Sequence, residues 1–213
     1  MTNPKPASPP SAEASRQRLK IVATRYLVSP IVRVLVALRV TPDSLTWLGL
    51  AGGGGAAALL WSGHWVWGGI AVLASSALDM LDGALARATG AASKYGALLD
   101  STLDRVGEAV ILFGMLGYYA RRGDTEETLL LFAAVVGSGL VSYVKARAEG
   151  LGIPCNVGIV TRPERIILLG VGLLVGQVTP FLYILTILSF QTALHRFWHS
   201  MREAGKQAQA ART

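Results

Sequence analysis

Asp79 and Asp82 lie three residues apart, and Asp100 and Asp104 four apart, in the runs Asp79-Met80-Leu81-Asp82-Gly83-Ala84-Leu85-Ala86-Arg87 and Gly96-Ala97-Leu98-Leu99-Asp100-Ser101-Thr102-Leu103-Asp104. Either spacing sets both side chains of a pair on one helix face, so each pair can aim at one spot. The flanking sequence is apolar enough for membrane, where a single mid-span Asp costs ~2.5–3.5 kcal/mol on insertion scales. A lone Asp near a membrane boundary is usually a cap or a snorkelling charge. Two pairs around a glycine-containing turn require compensation of another kind, and hard divalent cations supply it. Mg2+, or alternatively Mn2+, takes carboxylate, phosphate and water oxygens, and two such ions would largely neutralise the cluster. Gly83 leaves room for a ligand to approach the backbone, Arg87 one turn further can hold phosphate oxygens bidentately, and Ser93 adds a hydroxyl.

The elements that must position these residues read as membrane helices. Of 213 residues, 52% are hydrophobic and only 15% charged, with a mean hydropathy of +0.45, which is too apolar for an ordinary soluble domain. The net charge of +7 is explained by the positive-inside rule and by anionic lipid, since no nucleic-acid motif accompanies it. One cysteine, Cys155, excludes an intrachain disulfide, and no Cys/His cluster has zinc spacing.

Residues 1–15, rich in Pro, Ser and Ala and without an apolar core, are expected to be a disordered cytoplasmic tail and not a signal peptide. From 16 to 40, Leu19, Val22, Tyr26, Leu27, Ile31, Val34, Leu35 and Leu38 recur at helical spacing opposite Arg18, Arg25 and Arg33, which predicts an interfacial amphipathic helix with a break at Ser29-Pro30. Residues 41–201 then form a membrane domain. Its first span starts at Thr41-Pro42-Asp43 and runs through Gly52–Gly55, good for close packing in lipid, to about Trp61. Further spans are expected at about 65–88, 95–120, 127–148, 165–178 and 180–201, with a basic tail over 202–213. The fold class is therefore all-α and integral to the membrane, with six transmembrane helices. Among the 20 Lys and Arg residues only Arg121 and Arg122 fall in far-side loops, so the termini, the Asp cluster and the loop before the fifth span face the cytoplasm. Spans two and three are joined by Thr89-Gly90-Ala91-Ala92-Ser93-Lys94 and so are antiparallel neighbours whose Asp pairs face each other.

The string Asp79-x2-Asp82-Gly83-x2-Ala86-Arg87-x8-Gly96-x3-Asp100-x3-Asp104 resembles, without departure, the signature of the CDP-alcohol phosphotransferase family. The resemblance implies a six-helix, homodimeric cell-membrane enzyme in which two divalent cations bind the pyrophosphate of a CDP-linked lipid. It also implies transfer of the phosphatidyl group to an alcohol with release of CMP. It makes Asp79, Asp82 and Asp100 metal ligands and Asp104 the general base that also approaches a metal. By the same resemblance, Gly83, Ala86, Arg87 and Ser93, with Asp43, Ser44, Leu45 and Thr46 at the start of the first span, are expected to line the CDP-lipid pocket.

The acceptor is read from Ser142-Tyr143-Val144-Lys145-Ala146-Arg147-Ala148-Glu149 and Thr161-Arg162-Pro163-Glu164-Arg165. Any one of these cations could be a flanking topological charge, but Lys145 and Arg147 before the loop with Arg162 and Arg165 after it suit a second phosphate, on the acceptor. The Lys-Ala-Arg-Ala-Glu and Arg-Pro-Glu-Arg strings look like those of the phosphatidylinositol-phosphate synthases, whose acceptor is inositol 1-phosphate. That subfamily resemblance makes Lys145, Arg147, Arg165 and Arg196 acceptor-phosphate contacts and CDP-diacylglycerol, or a CDP-linked ether lipid, the donor. The loop Pro154–Val160 departs from the subfamily strings. Two rivals stand beside this reading: a phosphatidylglycerol-phosphate synthase using glycerol 3-phosphate, and a non-enzymatic cation transporter with the Asp cluster as transit site.

Overall fold

The computed structural model describes residues 29–210. The expected tail 1–15, residues 16–28 of the expected amphipathic helix, and 211–213 lie outside the described residues. The rest is all helix, with no strand among the described residues: α1 Ser29–Ala37, α2 Pro42–Trp61, α3 Trp65–Thr89, α4 Lys94–Arg122, α5 Thr125–Gly150, α6 Arg162–Val175 and α7 Val178–Ala210. α2 to α7 fall on the six expected helices to within a few residues, except at the far end of α7. There the helix carries 202–210 onward, where a separate tail was expected.

Local chemistry sets the boundaries nearest the acid cluster. Thr41 caps α2, its hydroxyl accepting from the Ser44 amide at 3.3 Å, and Pro42 occupies the first turn, where a missing N–H costs nothing. α3 stops at Gly90, whose φ of 69° needs a residue without Cβ, and α4 restarts three residues later with Ser93 accepting from the Gly96 amide at 3.0 Å. The acids at the end of α3 and the start of α4 are thereby folded back on one another. α6 begins with Thr161, whose amide donates to Glu164 Oε2 at 2.9 Å.

One core joins the six long helices: Leu60 of α2, Val72 of α3, Met115 of α4, Leu131 of α5, Leu173 of α6 and Leu182 of α7 are all fully buried in it. α2 packs on both α3 and α4, α5 on α7, and α6 on α3. Close approach is bought by small residues, as at Gly114, where a Cβ would lie 2.7 Å from the Ala57 Cα. Of the glycines Gly52–Gly55, Gly52 and Gly53 face neighbouring helices, whereas Gly54 and Gly55 face open space, so half of that run serves packing. α1 meets α2 at 109° and lays Val32 against Leu45 and Leu85.

Outside this core the bundle presents large apolar side chains, among them Trp67 (65% exposed), Phe132 (63%) and Ile187 (61%), a surface suited to lipid. α3, α5 and α7 are each long and apolar enough to cross a membrane, and α1 with α2 makes a fourth if the bent pair is one span. Several apolar helices thus fit a multi-pass membrane protein, but the six expected spans are three or four by this measure. α4 falls short because Asp100, Asp104, Arg105 and Glu108 dilute its apolar run, and α6, with 14 residues, extends about 21 Å against a hydrocarbon core of about 30 Å.

Candidate functional site

The four aspartates converge, but in other pairs than their sequence spacing suggests. Asp82 and Asp100 line one cavity of about 210 Å3, while Asp79 and Asp104 line a narrower cleft, and Thr46 borders both. The reason is the antiparallel register of α3 and α4. A step of three or four residues climbs one turn, about 5.4 Å, so the deeper member of each pair meets the deeper member of the other. The Thr46 hydroxyl donates to Asp82 Oδ2 at 2.6 Å and joins α2 to the cluster. Gly49, one turn along α2, faces Asp79 so closely that a Cβ there would collide with the carboxylate.

The larger cavity holds most of the residues expected around a CDP group. Asp43, Gly83, Ala86 and Arg87 line it together with Ser93, and Gly96 completes the wall. Ser44 and Leu45 do not. The Ser44 hydroxyl donates to the Thr41 carbonyl at 2.7 Å, and Leu45 is buried against α1 and Leu85. On α2 it is Pro42, Asp43 and Thr46 that look into the cavity, and residues 44 and 45 between them point elsewhere, so the contiguous stretch Asp43–Thr46 cannot all line it.

The expected acceptor cations divide sharply. Arg162 spans the cleft: one terminal nitrogen lies 2.7 Å from Asp79 Oδ2 and the other 2.6 Å from Asp104 Oδ1. Arg165, expected to meet a phosphate, is 2% exposed and instead donates from Nε and Nη2 to the two oxygens of Glu108, at 2.8 and 2.7 Å. Ser138 Oγ donates to the same carboxylate at 2.9 Å. Arg196 is also buried, its Nε donating to the Val157 carbonyl and its Nη1 to the Val141 carbonyl, both at 2.8 Å. These two arginines hold protein groups where ligand contact was expected. Lys145 pairs loosely with Glu149 at 3.6 Å, and Arg147 is exposed at the end of α5.

Thr192 and His199 of α7 complete the support of the loop before α6. Thr192 Oγ1 accepts from the amides of Ile159 and Val160 at 3.3 and 3.2 Å, and His199 Nε2 lies 3.2 Å from the Pro154 carbonyl oxygen. Cys155 of that loop is fully buried beside Ile153 and Ala148, a packing residue. The residue that sequence reasoning missed is Glu108. Its signal was present: it continues the Asp100–Asp104 spacing by one more step of four in an otherwise apolar stretch.

A cation fits the chemistry of this donor set. Four carboxylates offer only hard oxygen ligands, and a guanidinium is already drawn between two of them. Among the described residues no three His, Cys, Asp or Glu side chains stand grouped around one point, and the four acids stand as two cross-helix sets, one in each cavity.

The sequence pattern of the CDP-alcohol phosphatidyltransferases matches residues 39–196. The chain belongs to that family and is an enzyme of its type. The phosphatidylinositol phosphate synthase of Mycobacteroides abscessus is 38% identical over 148 residues, covering 68% of this chain and 67% of that one. The archaetidylinositol phosphate synthase of Pyrococcus horikoshii is 38% identical over 174 residues, covering 81% and 89%. The crystal structure of the Mycobacterium tuberculosis phosphatidylinositol phosphate synthase with CDP-DAG bound superposes with a TM-score of 0.75 at 31% identity, covering 82% of this chain and 93% of that one. The same protein has been solved in complex with manganese and citrate, with a TM-score of 0.76.

Proposed function

We propose that the protein transfers the phosphatidyl group of CDP-diacylglycerol, or of a CDP-linked ether lipid, to inositol 1-phosphate, giving phosphatidylinositol phosphate and CMP. The observation that carries this reading is the gathering of Asp82, Asp100, Arg87 and Ser93 around one cavity with Asp79 and Asp104 beyond Thr46. The names of the relatives support the acceptor.

Asp79, Asp82 and Asp100 are the residues that would hold two divalent cations, Mg2+ or Mn2+, with Asp104 beside them. Bound there, such ions would supply positive charge to the pyrophosphate oxygens and to the departing phosphate. Arg87 and the exposed backbone at Gly83 meet the CDP phosphates, while Asp43, Ala86 and Ser93 border the nucleotide. Asp104 takes the proton of the inositol hydroxyl as that oxygen bonds to the phosphorus carrying the lipid. The bond from this phosphorus to the CMP oxygen breaks, and CMP leaves with the electron pair.

Lys145 and Arg147 at the end of α5 receive the acceptor phosphate. Arg165 and Arg196 act behind them, one setting the position of α6 and the other that of the loop 154–160. All of α2 to α7 cross the cell membrane as one domain, 41–201, with the termini and the acids on the cytoplasmic side. α1 rests in the interface, and two copies pair as a homodimer.

The test is acceptor selection by the purified enzyme given labelled CDP-diacylglycerol. CMP release with inositol 1-phosphate is expected. Turnover with glycerol 3-phosphate and none with inositol 1-phosphate would overturn the acceptor. The family membership and the Arg87-bearing cavity leave the transporter reading without support.

A further inference from the structure

Two arginines three residues apart on α6 meet two carboxylates four residues apart on α4, and the inner contact is self-sufficient. Arg165 and Glu108 are joined by two hydrogen bonds, are almost wholly buried and are braced by Ser138. The α6 start is further fixed by the Thr161–Glu164 cap. α6, packed on α3 and tied to α4 through Arg165–Glu108, therefore stays in place without help from Arg162.

Arg162 is held differently. Its terminal nitrogens divide between Asp79 Oδ2 and Asp104 Oδ1, and its Nε is buried with no hydrogen-bond partner among the described residues. A guanidinium that satisfies only part of its fork, with side chains 21% exposed on the arginine and 12% and 21% on the acids, is weakly retained compared with its neighbour. The oxygens it takes belong to two of the four carboxylates that a divalent cation needs. A cation and the guanidinium cannot use the same lone pairs, and their like charges repel at contact distance.

We propose that Arg162 is an internal counter-ion that competes with divalent cations for Asp79 and Asp104 and thereby sets the cation affinity of the centre. It neutralises the acids when it occupies them and is displaced, with α6 still in place, when a metal takes them. This rests on the reading of the four aspartates as cation ligands.

The experiment measures Mn2+ binding to the purified full-length protein in nanodiscs by calorimetry and by the electron spin resonance of free Mn2+. Arg162→Gln is expected to bind Mn2+ about tenfold tighter than the parent, or more, equivalent to about 1.4 kcal/mol. Arg162→Lys keeps the charge but loses the fork across the two acids, so it too is expected to bind more tightly than the parent. A distant field effect would leave it equal to the parent, so equality overturns the proposal, as does unchanged or weaker binding in Arg162→Gln. If Arg162→Gln does not fold, Arg162→Lys alone decides. Absence of Mn2+ binding by the parent and both variants overturns the cation reading and this inference with it, whereas binding that ignores residue 162 overturns only the competition.

Discussion

Arg165 and Arg162 stand on the same helix, one turn apart, and both meet carboxylates of α4, yet burial gives the two contacts opposite characters. The Arg165–Glu108 pair has side chains 2% and 6% exposed, with both carboxylate oxygens engaged. Losing one partner of such a pair leaves a charge stranded in a low dielectric. The Arg162 contact sits at the edge of a cleft and spreads one guanidinium over two acids from different helices. One contact helps to hold the fold in register, and the other lies in the cleft where the chemistry is proposed. An arginine near a catalytic acid is therefore not a ligand contact on proximity alone, and its remaining hydrogen-bonding capacity decides.

The largest effect that sharpens this contrast is expected from Asp104→Asn, which keeps shape and removes the carboxylate proposed as the base. CMP release should fall by about 10²–10⁴-fold, while binding of CDP-lipid, followed with a non-reacting analogue, stays close to the parent's. Wild-type turnover in that variant would remove Asp104 from proton transfer. Next comes Glu108→Ala, which strands Arg165 and should lower unfolding stability by about 3–5 kcal/mol, read by denaturant titration in detergent. A Glu108→Ala protein as stable as the parent would mean that the inner contact is no anchor and that the contrast fails. A smaller loss, about 1 kcal/mol, is expected for Ser93→Ala, which removes the α4 cap beside the Asp82–Asp100 cavity. Smallest of all, Lys206→Ala breaks the exposed Lys206–Glu203 pair on α7 and should leave the denaturant midpoint indistinguishable from the parent's, a baseline for a contact open to water.

Much of the frame was legible because local chemistry wrote it. Gly90 and Ser93 mark the turn between α3 and α4, and the apolar runs mark each long helix within a few residues. The family signature was legible for the same reason, since its spacing is carried on two adjacent helices. What could not be read was contact across helices. Asp79 shares a cleft and the Arg162 guanidinium with Asp104, while Asp82 lines the cavity with Asp100, because register is a property of packed helices, which spacing along one helix does not report. Ser44 and Leu45, though flanked by Asp43 and Thr46, turn away from the cavity because successive residues on a helix point about 100° apart. Arg165 looked identical to Arg162 as a basic residue after the loop. Only Glu108, an unremarked acid one turn beyond Asp104, separates their fates.

Gly49 contributes no functional group, yet a methyl there would strike the Asp79 carboxylate. Among substitutions it should behave like an active-site residue: every replacement, alanine included, displaces an acid on another helix. Grafting the four aspartates onto a different helical bundle would therefore not transplant the centre. The motif has a fifth requirement, an empty space on α2, which no inventory of reactive side chains would reveal.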